Sequence, residues 1–255
     1  MSEGRLVYGF HAVMARLRQR ADSVREVYLD SGREDARARS LLALARERGV
    51  RVQQIPGERI DGMLPGVRHQ GAACVVSADE RAPHLDDILD DLTEAPLLLV
   101  LDGVQDPHNL GACLRSAAAM GVHAVVAPKD RAVGITPVVE KVASGAVETV
   151  PYIMITNLAR TLNELRERDL LVVGLAGDGD TPLEDAALSG ALALVLGAEG
   201  TGLRRLTRER CDVLANIPIG GGIESLNVSV ATGICLYEAC RQRRAVAPGK
   251  LVGKP

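Results

Sequence analysis

The chain has 255 residues, of which 47% are hydrophobic and only 2% aromatic, and its formal net charge is −3 at pH 7. This length suffices for one large or two modest domains, and the charge balance argues against a strongly basic nucleic-acid-binding protein. The five cysteines form no CxxC pair, which argues against a disulfide framework or a zinc site and favours a reducing cytoplasm. No apolar run approaches the about 20 residues of a membrane span, and the N-terminus lacks a signal-peptide pattern.

The first 78 residues alternate helix-like and strand-like patterns. Helices are expected over LVYGFHAVMARLRQR and over ARARSLLALARERG, the second of which ends at Gly49. Strands are expected over VREVYLD, VRVQQI and GAACVVSA. We therefore predict a small α/β sandwich over residues 1–78.

Residues 79–95 are acidic and proline-bracketed, and they carry the sequence DERAPHLDDILDDLTEA. This composition predicts a linker with room for one or two helical turns. Its acidic side chains fit either a solvated face or a partner-binding role.

Residues 96–245 alternate continuous apolar runs with helical patterns. The runs are LLLVLDG, HAVVAP, VPYIMI, LLVVGLAG, ALALVLGAEG and VLANIPIG. Unalternating runs are typical of strands buried on both faces of a parallel sheet. The segments NLGACLRSAAAMG, TPVVEKVASG, NLARTLNELRERD and TGLRRLTRERC are expected as helices on both sides of that sheet. Residues 246–255 are expected to form a basic, flexible tail.

The turns of this predicted sheet do not match the common nucleotide-binding motifs. The first strand-to-helix turn reads DGVQDPHNLGACLR, which is not a GxGxxG fingerprint, and the chain has neither a Walker loop nor a GxSxG elbow. Binding of NAD or ATP is therefore disfavoured.

Three segments instead resemble the three motifs of the SpoU (TrmH-like) family of ribose 2′-O-methyltransferases. They are LDGVQDPHNLGACLRSAAAMGV (101–122), LVLGAEGTGLRRLT (194–207) and IPIGGGIESLNVSVATGI (217–234). Their order and spacing are those of the family. The N-terminal segment likewise resembles the small RNA-binding domain that some members carry.

The resemblance implies a deep trefoil knot in the C-terminal domain, S-adenosylmethionine as the methyl donor without a metal, and an obligate homodimer with composite sites. It implies methylation of a guanosine ribose 2′-hydroxyl in large-subunit (23S) ribosomal RNA by a cytoplasmic enzyme. A transfer-RNA methyltransferase of the same family remains an alternative. A catalytically silent ribosome-assembly factor that binds RNA is a third possibility.

By the same resemblance, six residues of the second and third motifs would contact the cofactor, largely through backbone groups. Glycines suit such a loop because they lack a Cβ and tolerate positive φ. The cofactor-binding candidates are Gly197, Ile217, Leu226, Leu196, Ala198 and Pro218. Ser225 is expected to cap the last helix. The helical spacing of Leu226, Val230, Ile234 and Tyr237 predicts an apolar face for the core or the dimer.

A ribose hydroxyl is a poor nucleophile, so methyl transfer needs alignment and help with the proton. The family places Arg115 in that role. Because guanidinium stays protonated, we expect Arg115 to position the hydroxyl and to stabilise the developing alkoxide. The other catalytic candidates are Asn109, Glu199, Ser225 and Asn227. Taken singly, each of these four residues also fits a cap or turn role.

The scarcity of aromatic side chains disfavours base stacking as the main mode of RNA recognition. Recognition is expected to rely on phosphates, 2′-hydroxyls and shape. The RNA-binding candidates are Arg16, Arg18, Arg37, Arg204 and Arg205. A solvated helix face is the alternative for each of them.

Overall fold

The computed structural model describes residues 4–77, 84–223 and 225–246. The chain divides into two compact units, Met1–Ala82 and Pro83–Pro255. The predicted tail lies outside the described residues except for Val246, and so does the start of the predicted linker. Within the described ranges, no helix is long and apolar enough to span a bilayer.

The N-terminal unit is a four-stranded mixed sheet with three helices. Its strands are β1 (Arg5–Tyr8), β2 (Val24–Asp30), β3 (Val52–Ile55) and β4 (Ala72–Val76), in the order β1-β4-β2-β3. Strand β4 runs antiparallel to β1 and β2, and β3 runs parallel to β2. The helices are α1 (Phe10–Gln19), α2 (Ala36–Glu47) and α3 (Gly57–Met63).

The N-terminal unit corrects the sequence prediction at two places. Residues 6–8 were expected in the first helix, but they belong to β1, and Gly9 with φ 88° separates strand from helix. Helix α3 was not predicted, and its buried Ile60 anchors a small second core. The predicted strands and α2 are confirmed, with Asp35 capping α2 and Gly49 at φ 68° just after it.

The C-terminal unit is built on a seven-stranded sheet in which every neighbouring pair is parallel. Its strands are β5 (Leu97–Asp102), β6 (Ala124–Pro128), β7 (Tyr152–Ile155), β8 (Leu171–Leu175), β9 (Thr181–Pro182), β10 (Leu192–Gly197) and β11 (Val213–Asn216). They lie in the order β7-β6-β5-β10-β8-β11-β9. All residues of β5 are buried, as the unalternating apolar run predicts.

Helices cover both faces of this sheet, which confirms the predicted α/β layers. They are α4 (Leu85–Asp91), α5 (Pro107–Ala119), α6 (Pro137–Ala143), α7 (Leu158–Glu167), α8 (Arg205–Arg208) and α9 (Val228–Val246). One core joins α5, α6 and α9 to the sheet, and a second core joins α7 and the apolar side of α4. Helix α8 is much shorter than predicted: it ends three residues early, and it starts four residues late because residues 201–204 form a turn that returns to the end of β5.

Helix α9 buries one side and exposes the other. Its buried side includes Cys235 and Leu236. The side predicted for the core or the dimer is exposed in the single chain, with Val230 at 51% and Tyr237 at 55%. Near its end, the Arg243 guanidinium donates hydrogen bonds to the carbonyl oxygens of residues 95, 96 and 190 at 2.9, 2.6 and 2.5 Å. The trefoil knot stays a prediction.

Candidate active site

The three sequence motifs meet at one edge of the parallel sheet. They follow β5, β10 and β11, and parallel strands all end at the same edge. In open α/β sheets, ligands bind in crevices outside these carboxyl ends.

Side chains from all three motifs form one hydrogen-bonded cluster. The Asn227 Nδ2 donates to Asn109 Oδ1 at 2.9 Å and approaches Glu199 Oε2 at 3.5 Å. The Asn109 Nδ2 lies 3.4 Å from the same Glu199 oxygen. Two amides and a carboxylate that are far apart in sequence are thereby fixed against one another, and they present hydrogen-bonding groups at the sheet edge.

Two helix N-termini hold the amides in place. Asp106 caps α5 by accepting a hydrogen bond from the His108 N–H at 2.7 Å, which leaves the Asn109 side chain for the cluster. Asn227 caps α9, since its Oδ1 accepts from the backbone N–H and the hydroxyl of Ser229 at 2.9 and 2.6 Å. The prediction that Ser225 is this cap is wrong, because the helix begins at Val228.

Gly197 has no side chain, and this allows the backbone of the second motif to fold back against it. A Cβ on this residue would lie 2.1 Å from the carbonyl carbon of Gly202 and 2.4 Å from the backbone nitrogen of Leu203. The turn between them closes with a hydrogen bond from the Gly202 N–H to the Ala198 carbonyl at 2.9 Å. This turn carries Glu199, so the glycine fixes where the carboxylate stands.

A cavity of about 400 Å³ lies beside the cluster and is lined by residues of the second and third motifs. Five of the six predicted cofactor residues line it: Leu196, Gly197, Ala198, Ile217 and Leu226. Pro218 is not among the lining residues, whereas Ser225 is. Arg208 and Asp178 also line it as an ion pair, and the hydrogen bond from Arg208 lowers the pKa of the Asp178 carboxyl.

Arg115, a predicted catalytic residue, lies neither in the hydrogen-bonded cluster nor in the lining of the cavity. It is exposed on α5 and does not line the cavity. Its side chain has no hydrogen bond or ion pair with any described residue. The single chain therefore assembles Asn109, Glu199, Asn227 and the cavity without Arg115.

The RNA-binding candidates have different environments. Arg16 is 2% exposed and its Nε donates to the Ser23 hydroxyl at 2.8 Å, so its burial argues against the predicted RNA contact. Arg18 and Arg37 are exposed. Arg205 is exposed and paired with Glu209 one helical turn on.

Arg204 is held by Asp102, which sequence reasoning missed. The Asp102 carboxylate is fully buried, and it accepts hydrogen bonds from the Arg204 backbone N–H at 3.0 Å and from Nε at 2.5 Å. The available signal was a carboxylate at the end of an otherwise apolar buried strand, because such a group must find a partner.

Comparison with known proteins agrees with this geometry. Residues 96–237 match the profile of the SpoU rRNA Methylase family, and residues 6–82 match that of the RNA 2′-O ribose methyltransferase substrate-binding domain. The chain is 55% identical over 98% of its length to the whole of the 23S rRNA (guanosine-2′-O-)-methyltransferase RlmB of Ralstonia nicotianae. It is 56% identical over 95% of its length to 93% of the RlmB of Nitrosomonas europaea.

A solved structure shares the fold. The SpoU methyltransferase AviRb of Streptomyces viridochromogenes, in complex with AdoMet, matches with a TM-score of 0.74 at 27% identity, over 95% of this chain and 91% of that one. The two matched profiles cover both units of the chain in the same order as the predicted domains. The chain therefore belongs to the SpoU rRNA methylase family.

Proposed function

We propose that this protein transfers the methyl group of S-adenosylmethionine to the ribose 2′-oxygen of a guanosine in 23S ribosomal RNA, in the cytoplasm. One observation carries the proposal: the cluster of Asn109, Glu199 and Asn227 stands beside a cavity lined by the second and third motifs. The named activity of the relatives at 55% and 56% identity supports the choice of guanosine and 23S RNA.

The cavity fits S-adenosylmethionine in size and chemistry. Its volume of about 400 Å³ lies within the range of small-molecule sites. Leu196, Ile217 and Leu226 supply apolar walls for an adenine ring, and the backbone around Gly197 offers hydrogen-bonding groups. When bound, the cofactor supplies an electrophilic methyl group on a sulfonium.

The polar cluster would orient the ribose. Amide and carboxylate groups bond vicinal hydroxyls, and Glu199 can accept further hydrogen bonds because both amide contacts are made to Oε2 and its Oε1 has no partner among the described residues. Positioning of this kind lowers the barrier by replacing random encounter with a fixed geometry. Arg115 would stabilise negative charge as it develops on the 2′-oxygen.

A homodimer with composite sites is part of the proposal, in which Arg115 acts in the site of the partner subunit. Two features support it. Arg115 lies outside the cavity lining of its own chain, and α9 exposes the apolar side chains of Val230, Ile234 and Tyr237. An exposed apolar helix face is typical of an interface. We propose that each subunit supplies Arg115 to the cavity of the other.

The domain roles follow from the same proposal. Residues 1–78 bind RNA, residues 79–95 link the domains, residues 96–245 carry the transfer, and residues 246–255 form the tail. Arg18, Arg37 and Arg205 are exposed cations on helices and are suited to phosphate contacts.

The test is to incubate the protein with labelled S-adenosylmethionine and total RNA from a strain that lacks the gene, and then to map the label. We expect label on one guanosine ribose of 23S RNA, and none with an Asn109→Ala variant. Label in transfer RNA, or on a base, would overturn the substrate assignment. A chain without transferase activity that still supports ribosome assembly would favour the silent assembly factor.

A further inference from the structure

A second cavity, of about 390 Å³, opens at the carboxyl ends of β6 and β7. Asp130 follows β6, and Thr156 and Asn157 follow β7. The opposite side is α8 with the residue before it, which contributes Arg204, Arg205 and Leu206. Because Arg208 on the same short helix lines the first cavity, α8 stands between the two cavities.

Arg204 is prearranged as a hydrogen-bond donor in this second cavity. Buried Asp102 takes its backbone N–H and its Nε, which fixes the plane of the guanidinium. The two terminal amino groups make no hydrogen bond with any described residue, and the side chain is 39% exposed. A planar guanidinium held in this way presents two parallel N–H donors at little cost in conformational entropy.

Asp130 supplies an acceptor in the same cavity. It is exposed, and within the described chain its carboxylate has no hydrogen bond or ion pair. A carboxylate disfavours a phosphate at this place because the two groups carry like charges. A carboxylate and a guanidinium together fit guanine, whose N1–H and 2-amino group donate and whose O6 and N7 accept.

We propose that this second cavity binds a guanine base of the substrate RNA. Arg204 donates to O6 and N7, Asp130 accepts from N1–H and the 2-amino group, and Leu158 and Leu206 contact the ring faces. Single-stranded bases are commonly read by this combination of edge hydrogen bonds and apolar contact. The inference rests on the proposed function and adds to it the residues that select guanosine over other nucleosides.

The experiment uses the full-length protein and a 23S RNA fragment that carries the mapped nucleotide. The base is guanine, hypoxanthine, which lacks the 2-amino group, or 7-deazaguanine, which lacks N7. Asp130→Asn and Arg204→Lys are compared with two matched controls at the opposite edge of the sheet, Asp169→Asn and Arg168→Lys. Asp169 is exposed, and Arg168 is an aspartate-paired arginine that is 38% exposed.

For the wild-type protein, we expect each altered base to lower kcat/KM about tenfold to a hundredfold, as expected for the loss of a base-edge contact. Asp130→Asn should show a similar loss with guanine and no further loss with hypoxanthine. Arg204→Lys should lose its response to 7-deazaguanine. The two controls should respond to the altered bases as the wild type does.

The proposal would be overturned if Asp130→Asn and Arg204→Lys still distinguished guanine from both altered bases as the wild type does. This holds even if their overall rates fall, because a purely structural defect lowers the methylation rate of all three RNAs equally. Placing the altered base at the methylated nucleotide or at each neighbour identifies which guanine occupies the cavity. Equilibrium binding of the same RNAs, followed by fluorescence anisotropy, tests the cavity separately from methyl transfer. If the wild type binds with guanine selectivity but transfers no methyl, the proposed function fails and this inference stands.

Discussion

Asp102, the last residue of β5, is hydrogen-bonded to Arg204, the residue before α8. The carboxylate is fully buried and takes both the backbone N–H and the Nε of the arginine, at 3.0 and 2.5 Å. One side chain at the end of β5 thus fixes the exit of the second motif and the direction of a guanidinium. It links two motif loops without belonging to the polar cluster.

Asp102→Ala should lower the free energy of unfolding by about 2–3 kcal/mol, because two hydrogen bonds to a charged acceptor are lost at a buried place. Urea denaturation of the full chain measures this. Asp86→Ala is the control, since its carboxylate is 71% exposed and pairs with Arg168 at the surface. That change should stay within about 0.5 kcal/mol of the wild type. Equal effects of the two substitutions would contradict the role given to Asp102.

Gly197→Ala should abolish cofactor binding or reduce it by more than tenfold, since the added methyl group would overlap backbone atoms of Gly202 and Leu203. Backbone cannot move aside as a flexible side chain can, so the turn that carries Glu199 must shift. Isothermal titration with S-adenosylmethionine measures the effect. Gly190→Ala is the matched control, because its added Cβ meets nothing within 4 Å. Wild-type affinity in Gly197→Ala would argue against this cleft as the cofactor site.

Asn227 has two functions that substitution can separate. Asn227→Ser keeps an oxygen that can cap α9 but removes the Nδ2 donor to Asn109 and Glu199. We expect near-wild-type thermal stability and a fall in methylation rate of about tenfold or more. Asn227→Ala should lose about 1 kcal/mol of stability as well. Full activity in the serine variant would show that the cluster is structural.

Three thiols should be unreactive at neutral pH. Burial raises the pKa of Cys113 to about 11 and the pKa values of Cys211 and Cys235 to about 12. At pH 8 the thiolate fraction of each is on the order of one in a thousand or less. Iodoacetamide labelling followed by peptide mass spectrometry should find them unmodified in the native protein and modified in guanidinium. Rapid labelling of Cys113 at pH 8 would contradict the packing of α5 against α9.

Val230→Glu should convert the proposed homodimer to monomers and lower activity, because a charge would be buried on the exposed apolar side of α9. Sedimentation velocity measures the oligomeric state. Leu206→Glu is a matched control, since both side chains are 51% exposed. It should leave the oligomeric state unchanged. A monomeric wild-type protein would remove the basis for a composite site with Arg115.

Strongly patterned elements were predictable from the sequence. Strands β5 and β10 could be predicted because strands that are buried on both faces appear in the sequence as continuous hydrophobic runs. Strand β1 was missed because its residues run without a break into a helical pattern, and only the positive φ of Gly9 separates them. The start of helix α8 was predicted four residues too early, because a long-range hydrogen bond to Asp102 holds the residue before it and no local pattern encodes such a bond.

In the candidate site, too, the sequence did not reveal features that depend on the three-dimensional structure. The motif resemblance selected Asn109, Glu199 and Asn227, and the structure brings them into one cluster. The cap of α9 was wrongly assigned to Ser225, because Ser225 and Asn227 are both good capping residues and only the helix start decides between them. Arg16 was placed on an RNA surface because charge alone does not reveal that a guanidinium is buried.

Helix α9 is fastened to both edges of the sheet, by Asn227 at its start and by Arg243 near its far end. Its 19 residues extend about 28 Å, so it is a rigid helix that runs from the carboxyl ends of the strands to their amino ends. A rigid helix moves as one body, so a shift at its start also moves its far end. Ligand-induced movement at the first end should therefore change amide hydrogen exchange around residues 95 and 190 at the distant end, although neither residue lines the first cavity.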